Sequence, residues 1–149
     1  NNSEDFSPLA DQPLLKGLPN SDLEILQKNV TSIEYETGSK IIQMNEKADG
    51  IYFLRSGKVS VMVGDGIYVS GLDAGTCFGE LALIAPDATR TANIIADTKV
   101  FCSFLSIKAF NEISLVNPSF NELLLRNLGL ILFERLKQSN SKIIALSAN

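Results

Sequence analysis

The period of the apolar residues divides the chain into three parts. Leu23, Leu26 and Val30 fall on one face of a 3.6-residue period and predict a helix over residues 21–30. Asn20 or Ser21 fits its N-cap, and Glu24 stands where it would close a capping box with Ser21. Ahead of it, residues 8–17 read as a lead-in with a short helical turn, and residues 1–13 as disordered or linker. From Thr31 the period shortens. Apolar runs over residues 32–35, 40–44, 50–54, 59–63 and 67–72 are separated by Gly or Asn. Val59, Val61 and Val63 alternate with Lys58, Ser60 and Met62, as a half-buried strand requires. Gly64-Asp65-Gly66 between two such runs is a tight hairpin. Residues 93–96 and 100–105 add two more strands. After Ser106, itself placed to cap a helix over residues 108–115, the helical period returns. Pro118 and Ser119 open a long helix toward Leu146.

The fold class that follows is mainly β with flanking helices. It is an antiparallel β-roll over about residues 31–106, jelly-roll-like, with C-terminal helices over about residues 107–146. Phe120, Leu124, Leu128, Ile131 and Leu136 form the main stripe of the last helix. Leu123, Leu125, Leu130, Leu132 and Phe133 widen it beyond what one packed face needs, so a second surface is expected to meet this helix.

Composition narrows the function classes. The net charge of −4 argues against a nucleic-acid or anionic-membrane surface, both of which need clustered Lys and Arg. One buried arginine still suffices for a small anionic ligand. The absence of histidine removes the commonest general base, most transition-metal sites and the Ser-His triads. A cupin-type metal barrel, which shares a small β-roll, loses its usual imidazole ligands for the same reason. No enzyme activity and no cofactor are expected. Cys77 and Cys102 are distant in sequence, sit in apolar strand-like contexts and lack metal spacing. They read as reduced buried thiols of a cytoplasmic protein. No run is long and apolar enough to enter a membrane.

Between Gly75 and Asp97 the pattern is no longer that of generic strand. Phe78-Gly79-Glu80-Leu81-Ala82-Leu83-Ile84 precedes a short loop and then Arg90-Thr91-Ala92. This stretch resembles the phosphate-binding cassette of cyclic nucleotide-binding domains. Gly38, Asp49-Gly50-Ile51-Tyr52-Phe53-Leu54 and Ser56-Gly57 extend the resemblance upstream, with Asn45 where the family usually has Gly. It covers about residues 14–146 of the chain.

The resemblance implies a cyclic AMP or cyclic GMP ligand, cyclic AMP marginally favoured, and the residue chemistry suits it. Gly79 lets backbone approach the sugar-phosphate, and a turn over residues 80–83 would aim free amides at the phosphate. Arg90 supplies a permanent charge and a donor fork. Glu80 would be repelled by the phosphate, and its natural partner is the ribose 2′-hydroxyl. The alternative for this pair is a structural ion pair of Glu80 with Arg90. Thr91 in this position is associated with guanine in the family, and is otherwise a β-branched strand residue. By the same resemblance Val61, Val63, Val69 and Leu72 would hold the base, or serve as plain core. Ser139 and Asn140 on the long helix would reach the purine.

Catabolite activator relatives continue into a DNA-binding domain for which residues up to Asn149 leave no room, so nucleic acid is not expected as a partner. The last helix resembles C-terminal regulatory modules of some bacterial glutaminases and sulfate-type transporters. The leading expectation is a sensor whose C-terminal helices relay binding to a fused or partner effector domain. The alternative is a non-binding structural module, with a homodimer through the C-terminal helix.

Overall fold

The run from Gly50 to Leu54 is apolar without a break because both faces of its strand are covered. The computed structural model describes the backbone of residues 6–147 and the side chains of residues 6–141. Among the described residues there are eight strands: β1 (Thr31–Tyr35), β2 (Lys40–Ile42), β3 (Gly50–Ser56), β4 (Lys58–Val63), β5 (Ile67–Asp73), β6 (Cys77–Phe78), β7 (Asn93–Ala96) and β8 (Val100–Ser106). They form two four-stranded sheets, ordered β1-β8-β3-β6 and β2-β7-β4-β5, and their pairings are antiparallel. The expected β-roll is thus present. Strand β6 was not foreseen, because two residues are too few to show a period.

Alternation along β3 builds two cores. Ile51 and Phe53 join Leu14, Leu26, Leu105, Phe110, Phe120 and Leu124 on the helical side. Tyr52 and Leu54 join Ile42, Val59, Phe78, Ile94 and Cys102 between the sheets. The layers therefore run helices, first sheet, second sheet, and β3 lies at the centre. Cys77 pairs in register with Phe53, and Cys102 with Leu54, so the two thiols belong to different cores. Both are free and buried, and burial pushes each thiol up to about 12, which leaves them protonated and unreactive at neutral pH.

Among the described residues three α-helices flank the roll: α1 (Asn20–Asn29), α2 (Ile107–Val116) and α3 (Pro118–Ser147). The α1 cap differs from the sequence reading. Pro19 is the N-cap, and its carbonyl accepts from Asp22 N and Leu23 N. Asn20 and Ser21 therefore lie inside the first turn, where no side-chain cap forms. At α2 the expected cap is present, with Ala109 N donating to Ser106 Oγ at 3.0 Å.

The lead-in is folded rather than free. Two 3₁₀ turns, Leu9–Asp11 and Pro13–Leu15, lie on the roll, with Leu9, Gln12 and Leu14 buried. Burial of Leu9, and of Gln12 donating to Leu54 O at 3.2 Å, holds part of a segment read as linker. Residues 1–5 of that segment lie outside the described residues. Asn127 of α3 donates to Leu14 O at 2.8 Å and to Lys16 O at 2.9 Å, so the lead-in and α3 are tied by a buried amide.

Helix α3 buries Phe120, Leu124 and Leu128, and half-buries Ile131 and Leu132. Leu136, expected in the buried stripe, is exposed, together with Leu125, Leu130 and Phe133. The stripe ends because α3 runs beyond the helical core after its first half. No described helix is long and apolar enough to cross a membrane.

Candidate ligand-binding site

The site begins where β6 ends. Tyr52 of β3 stacks on Phe78 with ring centroids 5.1 Å apart and planes 6° apart, which fixes the end of that strand. Gly79 follows with φ of +75°, a left-handed turn that leads into a 3₁₀ turn, Glu80–Leu83. A Cβ on Gly79 would lie 2.7 Å from Arg90 Nη1 and 3.3 Å from Gly50 O. Glycine is therefore required both by backbone sign and by the arginine packed against it.

Arg90 is held from both sides. Its amide donates to Glu46 O at 2.7 Å and its carbonyl accepts from Asn45 N at 2.9 Å. Asn45 takes φ of +75°, so it makes the left-handed turn that glycine makes in the family pattern. The Arg90 guanidinium is 8% exposed. It donates from Nη1 to Gly79 O at 3.1 Å, and from Nη2 to Gly50 O at 2.8 Å and Asp49 Oδ1 at 3.1 Å. A guanidinium has five N–H donors. Nε and the second Nη1 hydrogen have no protein acceptor among the described residues, so the fork keeps capacity for an anion.

Glu80 is buried, and it does not pair with Arg90. Its Oε1 accepts from Arg135 Nη1 of α3, and Arg135 Nη2 donates to Cys77 O at 3.4 Å. The two carboxylate–arginine pairs, Asp49–Arg90 and Glu80–Arg135, are thus separate. Of the amides expected to be free, Ala82 N is engaged by Gly79 O at 3.2 Å. The Glu80 and Leu81 amides open the turn and have no acceptor within it.

These groups line one cavity of about 350 Å³. Phe78, Gly79, Glu80, Leu81, Ala82, Arg90 and Thr91 form its polar end, and Val61 and Leu72 belong to its apolar wall. Four expected residues fall elsewhere. The β4–β5 register passes from Val61↔Ser70 to Met62↔Tyr68, which leaves Val69 as an unpaired bulge residue. Val69 is 52% exposed and lies outside the wall, while Ser70 lines it. Val63 is half-buried nearer the hairpin and is not part of the wall. Ser139 and Asn140 are exposed and also outside it. Helix α3 passes the cavity at Arg135, and Ser139 is one turn, about 6 Å, farther along.

Residues that sequence reasoning missed include Ile42, Ser70, Ile94 and Arg135. Ile42 and Ile94 carried a signal, since both lie on predicted strands. Arg135, a charge amid apolar helix positions, carried a weak one.

With this geometry in place, the sequence matches the model of the cyclic nucleotide-binding domain family over residues 32–116. The chain belongs to the cyclic nucleotide-binding domain family. Among curated relatives, the domain is 37% identical over 140 residues to Glutaminase 1 of Bradyrhizobium diazoefficiens, spanning 94% of this chain and 22% of that protein. It is 36% identical over 105 residues to the cAMP-dependent protein kinase type II regulatory subunit of Drosophila melanogaster, spanning 68% of this chain and 28% of the relative. The chain thus spans roughly a quarter of these relatives' own length. The Thermus thermophilus catabolite activator protein has the same fold, with a TM-score of 0.75 at 23% identity, over 91% of this chain and 63% of the other.

Proposed function

We propose that this domain binds a cyclic nucleotide monophosphate, cyclic AMP over cyclic GMP, and relays occupancy through α3 to a fused or partner domain. One observation carries the binding: the buried guanidinium of Arg90, with unused N–H donors, beside Gly79 and Glu80 at one end of the cavity. A cyclic phosphodiester carries a single negative charge, which Arg90 and the Glu80 and Leu81 amides are suited to accept. The second oxygen of Glu80 is available to the ribose 2′-hydroxyl. The ordering of ligands rests on the relatives named for cAMP, against Thr91, which favours guanine by resemblance. Catalysis has no part in this reading. Calorimetric titration is expected to show saturable one-to-one binding of cyclic AMP. The open 5′-monophosphate, with its second charge, should bind at least about tenfold more weakly, or 1.4 kcal/mol. Flat traces from folded protein would contradict the reading.

The relay rests on the two attachments of α3. Arg135 ties it to Glu80 at the cavity, and Asn127 ties it to the lead-in. A ligand engaging the second oxygen of Glu80 fixes that carboxylate while Oε1 keeps Arg135, so α3 is held more firmly at the cavity and carries that change to the segment that enters the domain. Hydrogen exchange over residues 128–137 is expected to slow when cyclic AMP is added. In Arg135→Ala the slowing should be lost while affinity stays within about tenfold of wild type. Equal slowing in both proteins would contradict the relay.

A second reading, a docking module or a homodimer through α3, is favoured by the exposure of Leu130, Phe133 and Leu136 at 60%, 56% and 59%. A flat calorimetric trace would leave this reading in place.

A further inference from the structure

A second cavity of about 240 Å³ lies on the first sheet, and no residue lines both it and the cavity around Arg90. Strand register builds its floor. Phe53 of β3 pairs with Ser103 of β8, and Ser103 with Ser32 of β1, so these three share the face that carries the helical core. Two positions along the same strands, Phe101 pairs with Glu34 on that face. Phe6 leans on Phe101 with ring centroids 4.7 Å apart and closes one side. The β3–β8 register passes from Leu54↔Cys102 to Ser56↔Phe101, which leaves Arg55 as a bulge residue. Its side chain reaches across to β8. Nη1 donates to Ser103 Oγ at 3.1 Å, and Nε donates to Ser7 O at 2.7 Å.

The polar groups here are short of acceptors. The other Nη1 hydrogen of Arg55, and both on Nη2, have no protein acceptor among the described residues. Ser103 is 1% exposed, and its oxygen accepts from Arg55, so its own proton also lacks an acceptor among those residues. Buried donors left unpaired are costly, and an acceptor-only group relieves them. Charge points the same way. Arg90, Arg126 and Arg135 each pair with a carboxylate, and Arg55 has none among the described residues. Burial lowers the pKa of Arg55 from the ordinary arginine value, as for a cation without a compensating anion. Glu34 on the floor is already paired with Lys99 Nζ at 3.0 Å. The charge left over among the described lining residues is that of Arg55, which a monoanion balances and a dianion exceeds.

We infer that Arg55 and Ser103 form a second anion site, one that takes a carboxylate carried on a short aromatic or apolar stem. The arginine fork matches the two carboxylate oxygens, and the Ser103 hydroxyl adds a further donor. Phe6 and Phe101 take the stem.

The probe is sodium phenylacetate, titrated by calorimetry at constant ionic strength beside phenylethanol, which is neutral, and phenyl phosphate, which is doubly charged. Phenylacetate should bind one-to-one and more tightly than either. Arg55→Gln should weaken it at least about tenfold, and the milder Ser103→Ala about fivefold, the scales of a charged and a neutral hydrogen bond. A thermal melt on each variant separates lost binding from lost folding. Arg90→Ala should leave phenylacetate affinity as it is, and a loss there would place the probe in the other cavity and overturn the site. Glu4 and Asp5 precede Phe6 in the sequence, so the titration is repeated on the double variant Glu4→Gln, Asp5→Asn. Binding seen only in that variant would overturn the site as one for an external carboxylate. Equal affinity for phenylethanol, tighter binding of phenyl phosphate, unchanged affinity in folded Arg55→Gln, or no binding in any protein would overturn it too. Each of these failures leaves the reading of the Arg90 cavity untouched.

Discussion

Arg90→Ala is expected to weaken cyclic AMP binding by about 2–5 kcal/mol, the range for removing one partner of a buried charge pair. That corresponds to roughly 30-fold to several thousand-fold in Kd. The magnitude follows from burial. Arg90 is 8% exposed and its fork is preset by Gly79 O, Gly50 O and Asp49, so it meets an anion without reorganising. Arg90→Lys keeps the charge and loses the fork, and should fall between wild type and alanine. A thermal melt on the same samples separates lost binding from lost folding. The Asp49 side chain left behind is 69% exposed, so removal of Arg90 leaves no buried unpaired carboxylate at that position. Unchanged affinity in a folded Arg90→Ala protein would contradict the role given to this residue.

Phe120→Ala is expected to destabilise the domain by about 3–5 kcal/mol. Phe120 has no exposed surface, packs on Phe110 with ring centroids 5.8 Å apart, and shares its core with Leu14, Leu26 and Leu124. Its ring joins α2, α3, α1 and the lead-in, so the cavity it leaves has no single neighbour able to fill it. Domains of this kind are stable by only about 5–15 kcal/mol, so the loss is a large share of the whole. Urea denaturation should show the lower midpoint, with the ligand site assayed below the transition. A change below 1 kcal/mol would show that the helical layer is not built on this residue.

Most of the roll was legible because burial alternates along its strands. Val59, Val61 and Val63, with Gly64-Asp65-Gly66 beyond them, mark a strand and its turn without any tertiary information. The cassette was legible as a pattern, and Arg90, Gly79 and Glu80 meet in one cavity as their order suggested. What failed depends on contacts between distant residues. Val69 and Leu72 are an odd number of positions apart, so a regular strand could not have faced both inward, and the bulge gives the inward place to Ser70. Arg135 reaches the cavity because the packing of Phe120, Leu124 and Leu128 sets the rotation and height of α3. No local pattern encodes that height, which is why Ser139 and Asn140 were placed a turn too far along. The α1 cap was misplaced because a proline carbonyl can open a helix ahead of a nearby serine.

The most direct measurement is a crystal structure of the domain grown with cyclic AMP. The account requires phosphate oxygens at about 3 Å from the Arg90 guanidinium, with a Glu80 oxygen on the ribose 2′-hydroxyl. A nucleotide bound away from that guanidinium, or with its phosphate held by other groups while Arg90 keeps only Asp49 and the two carbonyls, would contradict it.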